Sequence, residues 1–469
     1  MLGESSVPAI DDPPESGYSP VRVFPQAPPV DMPLHYFHVG ARIVHRAALL
    51  VVVLCASAAV AVSAFRPQLR LGYRNGDQWE PAIAADAHGH VYVLYPQYGA
   101  VPECSNCTAP SMNLLISDDN GASWHSSKPL LPFPTGQFDP QIVVDPNDRQ
   151  TLYASWLQNN KRDIVVARSL DYGRSWSFSW AARGREETDK PVLTVRGGDV
   201  YVGFNREETL LVAASHDAGQ TFRMAVVNPN AEPGSSLAGG ATIDPTGNVF
   251  FGWTSYARER MQTNPVSVYV SRSPDGGHSW TTQLLDQSAA PPECTAQACG
   301  NGFLGAQIAL ASDSAGALYA LWNAGAVSGG SERIYFSSST TGGATWSARS
   351  GLSLAGPNVE HAFPAIVAAG PGDVRVAWMD TRSHDARQPE LLLWNTFYRV
   401  STNGGATWSG ETKLSGPAQN YDYILANGFR FPFGDYFGLT IDGDGTTHAV
   451  WGEGRDYKSP GSIWYTRGR

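Results

Sequence analysis

An eight-residue phrase is written six times along this chain: "SDDNGASW" at 117–124, "SLDYGRSW" at 169–176, "SHDAGQTF" at 215–222, "SPDGGHSW" at 273–280, "STTGGATW" at 339–346 and "STNGGATW" at 401–408. Its frame is Ser-x-Asp-x-Gly-x-x-aromatic. The copies lie roughly fifty to sixty residues apart, a period typical of propeller blades. A second pattern precedes each copy. A first strand reads "EPAIAAD" (80–86), "DPQIVVD" (139–145), "KPVLTV" (190–195), "GGATID" (239–244), "GAQIAL" (305–310), "FPAIVAA" (363–369) and "YFGLTID" (436–442). A second strand ends on an aromatic: Tyr95, Trp156, Phe204, Trp253, Trp322, Trp378 and Trp451. That pattern has seven copies, one more than the phrase.

Each unit reads as strand, turn, strand, longer loop, strand, phrase and strand, which is one four-stranded antiparallel blade. The seventh unit ends at "SIWYTRGR" without a fourth strand, and "RPQLRLGY" (66–73) is placed to supply it. Closure by both termini removes free sheet edges. The expected fold is an all-β propeller of seven blades, with six as the alternative. Composition agrees: 48 glycines, 11 % aromatic residues and 16 % charged residues suit short strands and tight turns. The net charge of −10 and the absence of a basic block exclude an electrostatic nucleic-acid binder.

The phrase has a structural task. Glycine at 121, 173, 219, 277, 343 and 405 permits positive φ. Asp119, Asp171, Asp217 and Asp275 can accept backbone N–H bonds and close the turn, with the Ser hydroxyl adding another. Thr341 and Asn403 take the Asp position in copies five and six. A catalytic group is not copied six times and then varied. Too few acidic oxygens stand in each copy for a calcium loop, and the scattered histidines have no metal-ligand spacing. No metal and no cofactor is expected.

The phrase and its repetition resemble the Asp-box, or bacterial neuraminidase repeat, family over about 70–469. That resemblance implies a β-propeller whose Asp-boxes lie opposite the active site. It also implies a glycan-active enzyme, often a sialidase, or a binding protein without catalysis.

Two loop sets would form the face opposite the phrase turns. Two residues beyond the strand-ending aromatics stand Gln97, Gln158, Arg206, Ser255, Ala324, Asp380 and Glu453, polar for the most part and unlike from blade to blade. "WMDTR" supplies Asp380 and Arg382; "WGEGRD" supplies Glu453, Arg455 and Asp456. At the mouths of the first strands are Glu80, Asp139, Asp189, Asp435 and Tyr436, and Arg430 precedes the last pair. A sialidase-like mechanism assigns Arg382, Arg455, Arg430 and Arg206 to a carboxylate clamp, Asp139 or Glu80 to the acid, and Tyr436 beside Asp435 to the nucleophile. The competing reading is that Asp380–Arg382 and Glu453–Arg455 are ion pairs that brace the blades. A polysaccharide lyase would instead use Tyr436 or His361 as base. A non-catalytic glycan- or protein-binding propeller is the third reading.

The first 46 residues are proline-rich and read as disordered. Residues 47–64, "AALLVVVLCASAAVAVSA", carry no charge and read as a signal-anchor or a signal peptide cleaved after Val62-Ser63-Ala64. The expectation is an extracytoplasmic protein, secreted or held by this one segment, that meets an extracellular glycan or polysaccharide. Two close cysteine pairs, Cys104–Cys107 and Cys294–Cys299, fit local disulfides better than a four-cysteine zinc site.

Overall fold

The computed structural model describes residues 65–102, 104–229, 235–256, 265–291, 306–384, 392–415, 437–454 and 461–469. Residues 1–64, with the segment 47–64 read above as a signal-anchor or signal peptide, and Cys294, Cys299, Arg430, Asp435, Tyr436, Arg455 and Asp456 lie outside them.

Seven antiparallel sheets form seven blades. Their innermost strands, blade by blade, are Ala82–Ala85 with Asp77–Gln78, Phe138–Val144, Thr188–Arg196, Ser235–Ile243, Ile308–Ser312, His361–Ala368 and Phe437–Ile441. Blade seven closes as the sequence predicts. Its fourth strand is Leu69–Arg70, whose residues pair with Tyr465 and Trp464 near the C-terminus. The six-bladed alternative is excluded.

The apolar residues explain the ring. A lone blade cannot cover both of its faces, so each packs on its neighbours, and seven apolar clusters fill seven seams. The last seam joins Ile83 and Val91 of blade one to Val450 and Ile463 of blade seven. The strand-ending aromatics Trp156, Trp253, Trp322, Trp378 and Trp451 are all buried there, each contributing roughly 1.5–3 kcal/mol by leaving water.

The phrase is the turn between third and fourth strands. In the first copy, Asp119 Oδ1 accepts the N–H groups of Ala122 (2.9 Å) and Ser123 (2.8 Å), and Oδ2 accepts the Ser123 hydroxyl (2.6 Å). The Ser117 Oγ takes the Gly121 N–H at 2.8 Å. Asp171, Asp217 and Asp275 repeat these bonds. Thr341 Oγ1 and Asn403 Oδ1 accept the corresponding N–H of Thr345 and Thr407, both at 2.9 Å, so the substitutions keep the bond that closes the turn. The hydroxyl and amide of Ser123 hold the Asp119 carboxyl down to about 2.

Each phrase glycine also abuts the preceding blade. A Cβ on Gly405 would stand 2.2 Å from the Phe336 ring, and one on Gly173 would stand 3.2 Å from Ile116. The phrase therefore both turns the chain and docks blade on blade. Antiparallel order puts the first-to-second-strand turns on the same face. There Asp86, Asp244, Asp313 and Asp442 close their own turns. Asp145 reaches the Gly197 N–H of the next blade at 2.9 Å.

Candidate functional site

The opposite face carries the second-to-third-strand loops and the approaches to the inner strands. In four blades the inner strand is interrupted at a residue before proline. Glu80, Asp139, Lys190 and Phe363 have φ of 56°, 53°, 52° and 55°. They precede Pro81, Pro140, Pro191 and Pro364. A pre-proline residue ordinarily takes extended backbone, and left-handed φ is costly for any side chain with a Cβ. In blades two, three and six, the ladder slips register at the same point. Blade four slips there too, across Gly239–Gly240, where neither glycine takes positive φ and a Cβ on either would collide with the inner strand of blade five at Ile308–Leu310.

Three of the four strained residues gather in one charged cluster. Glu80 of blade one, Asp139 of blade two and Lys190 of blade three interact with one another and with Asp189 and Lys161. Glu80, Asp139 and Lys190 are all buried. Lys161 Nζ lies 3.1 Å from Asp189 Oδ1, and its ammonium sits over the Phe138 ring at 5.7 Å. Tyr98, stacked on Trp79 at 3.8 Å, adjoins Glu80 and Asp139.

The environments drive the carboxyls apart. Burial, then the negative charge of Glu80, pushes Asp139 well above the aspartate range. Burial also raises Glu80, against Lys190 and Lys161. Desolvation pushes Asp189 up too, but Lys190 and Lys161 outweigh it and keep the group below the usual value. Asp139 is 5 % exposed; its Oδ2 meets no N–H or O–H donor among the described residues, while its carboxyl hydrogen-bonds the carboxyls of Glu80 and Asp189. Buried carboxyls in contact are costly unless they share a proton. A cavity of about 260 Å³ opens beside Lys190, lined also by Pro81, Gln141, Gln307, Phe363 and Phe437.

The ring two residues beyond the aromatics has a different local task. Gln158, Asp380 and Glu453 accept the indole N–H of Trp156 (2.8 Å), Trp378 (2.9 Å) and Trp451 (2.8 Å). Gln97 bonds Gln78 at 2.7 Å, and Ser255 and Ala324 are buried. Arg206 faces Glu186 at 3.5 Å. Arg382 is held by Asp380 (Nε–Oδ1, 2.8 Å) and by Glu411, over the Phe397 ring at 3.7 Å. The Arg382 guanidinium is thus engaged by carboxylates of the chain itself, whereas the buried Nε and Nη2 of Arg206 make no hydrogen bond.

A second carboxyl group lies between blades five and six. The Glu332 N–H donates to Glu360 Oε2 at 3.1 Å, and Asn323 Nδ2 donates to Glu332 at 2.5 Å. Burial pushes Glu332 up to about 8 and Glu360 well above its usual range. His361 is buried between the Glu332 carbonyl (2.9 Å) and Ser353 Oγ (2.7 Å), and burial lowers its pKa. Among the described residues, no three His, Cys, Asp or Glu side chains are arranged to hold a metal ion.

Sequence reasoning named Glu80, Asp139 and Asp189, which the fold brings together, but not Lys161, Lys190 or Tyr98. The repeated x-Pro at the inner strands was the available signal for Lys190. The predicted Cys104–Cys107 disulfide is present.

No family model matches the chain, and no curated protein matches it. Solved structures match at low identity. A protein of unknown function from Dyadobacter fermentans is 12 % identical, with 87 % of this chain and 100 % of that one covered and a TM-score of 0.49. A Hadza microbial sialidase is 14 % identical over 83 % of this chain and 65 % of its own, with a TM-score of 0.43. An ulvan lyase, a polysaccharide lyase, is 13 % identical over 84 % and 95 %, with a TM-score of 0.46.

Proposed function

We propose that this chain is a glycoside hydrolase whose acid is Asp139. The observation that carries the reading is the buried Asp139 carboxyl. It stands on strained backbone and hydrogen-bonds Glu80 and Asp189; burial and Glu80 push it well above the aspartate range, while Lys190 and Lys161 hold Asp189 below its usual value. Glycoside hydrolysis needs a carboxylic acid to protonate the leaving oxygen. Asp189, half exposed beside Lys161 and hydrogen-bonded to Asp139, is the ionised neighbour that solvent can reach. Lys161 and Lys190 favour an acidic sugar, a uronate or a sialate. Arg382 stays out of the clamp in this reading, because Asp380 and Glu411 hold it. The uncharged segment 47–64 supports export and an extracellular glycan as substrate.

The test is product profiling of the full chain on sialosides, uronate polysaccharides and neutral glycans. Release of an acidic sugar, lost by about 100-fold or more in Asp139→Asn, is expected. The self-paired Asp380–Arg382–Glu411 group favours a second reading, a binding propeller without catalysis. Glycan binding that Asp139→Asn leaves intact, with no product from any substrate, would establish that second reading instead.

A further inference from the structure

The geometry assigns Cys104–Cys107 as a site of thiol–disulfide exchange with a low-molecular-weight thiol. The bond joins residues only three apart in the chain. So small a ring removes little conformational freedom from an unfolded chain, and its value as a staple is correspondingly low. Both cysteines are half-buried and their neighbours Ser105 and Asn106 are exposed, so a small thiolate can reach the sulfurs. Two-residue spacing is also the arrangement in which a thiol pair is readily interconverted with its disulfide.

The loop is held without this bond. The Ala100 carbonyl accepts from Asn75 Nδ2 at 3.0 Å, the Thr108 N–H donates to the Phe133 carbonyl at 3.4 Å, and the Pro110 carbonyl accepts the Gln137 N–H at 2.9 Å. Opening the ring therefore frees the tip and leaves the blade standing. The anchors are not remote. The loop leaves the strand at Tyr98, and Gln137 is two residues from Asp139. The assignment does not depend on the hydrolase reading.

The chemistry balances. A thiolate attacks one sulfur, the Cys104–Cys107 bond breaks, and the departing sulfur takes a proton as the mixed disulfide forms. A second thiol displaces the mixed disulfide. The chain gains two electrons and two protons, and two small thiols become one disulfide.

The full chain is treated with reduced glutathione without denaturant, alkylated, and mapped by peptide mass, which separates this pair from Cys55, Cys294 and Cys299. Reduction within about tenfold of the rate for a small exposed disulfide is expected, and reversal by oxidised glutathione. Amide exchange should rise only within 99–110, and the Cys104→Ser/Cys107→Ser double variant should melt with the wild type. Reduction only at denaturant concentrations that unfold the ring would overturn the assignment. So would exchange spreading through blade one, or a large loss of melting temperature in the double variant, since each makes the bond a structural staple.

Discussion

Asp139→Asn separates the charge state of the acid cluster from its catalytic role. Asparagine keeps the shape of the side chain and is among the residues that best tolerate the left-handed φ of 53° at this position. Its amide can donate wherever a protonated carboxyl donates. What changes is proton binding. The native Asp139 carboxyl is raised above its ordinary 3.8 by burial and by Glu80, so the folded chain holds a proton that the unfolded chain releases. Stability from this group is therefore complete below about pH 3.8 and falls as pH rises toward the native value. The slope is about 1.4 kcal/mol per pH unit for a group acting alone, and less where Glu80 shares the proton. Asp139→Asn removes that slope. Urea unfolding from about pH 3 upward should show the variant gaining on the wild type as pH rises above about 3.8, until the native carboxyl itself ionises. Parallel curves, or a variant that loses ground as pH rises, would mean that Asp139 is ionised in the native state. The acid assignment would then fail whatever the activity data say.

Arg382→Ala should cost about 3 kcal/mol in urea unfolding, because it strands the buried Asp380 and Glu411 carboxylates. A raised KM with unchanged stability would instead restore Arg382 to the substrate. Gly405→Ala should cost about 3 kcal/mol, combining strain at φ +89° with a Cβ 2.2 Å from Phe336. Gly247→Ala, with φ +89° and open space around it, should cost about 1 kcal/mol by the same assay. Equal losses at the two glycines would refute the blade-docking role of the phrase. Asp119→Asn should be nearly neutral, because Asn403 closes its own copy of the turn, whereas Asp119→Ala should cost about 1 kcal/mol in melting experiments.

The scaffold was legible because its determinants are local and repeated. A turn that needs positive φ needs glycine, and six copies report the same need. A blade that must cover both faces needs an aromatic at each seam, and seven copies report that. Closure by residues 66–73 followed from a missing fourth strand, a count that needs no coordinates. The exchange of Asp for Thr341 and Asn403 was readable too, since an acceptor oxygen survives in each.

The candidate site obeys a different logic. Glu80, Asp139 and Lys190 each stand before a proline, and a pre-proline residue read locally is an extended residue at a strand start. Only the ring puts three of them together, from blades one, two and three, on backbone that none would adopt alone. Lys161 joins from a loop with no repeat to mark it. The ring of polar residues beyond the aromatics misleads for the converse reason. Gln158, Asp380 and Glu453 vary from blade to blade as site residues do, yet each satisfies an indole N–H two residues away. Trp253 and Trp322 find their acceptors elsewhere, in Ser271 Oγ (2.9 Å) and Asp286 Oδ2 (2.7 Å), and Tyr95 and Phe204 have no indole to satisfy. Phe363 of blade six bears the same backbone strain without a charge, so the strained pre-proline position belongs to the blade frame; what sets blades one to three apart is that Glu80, Asp139 and Lys190 occupy it.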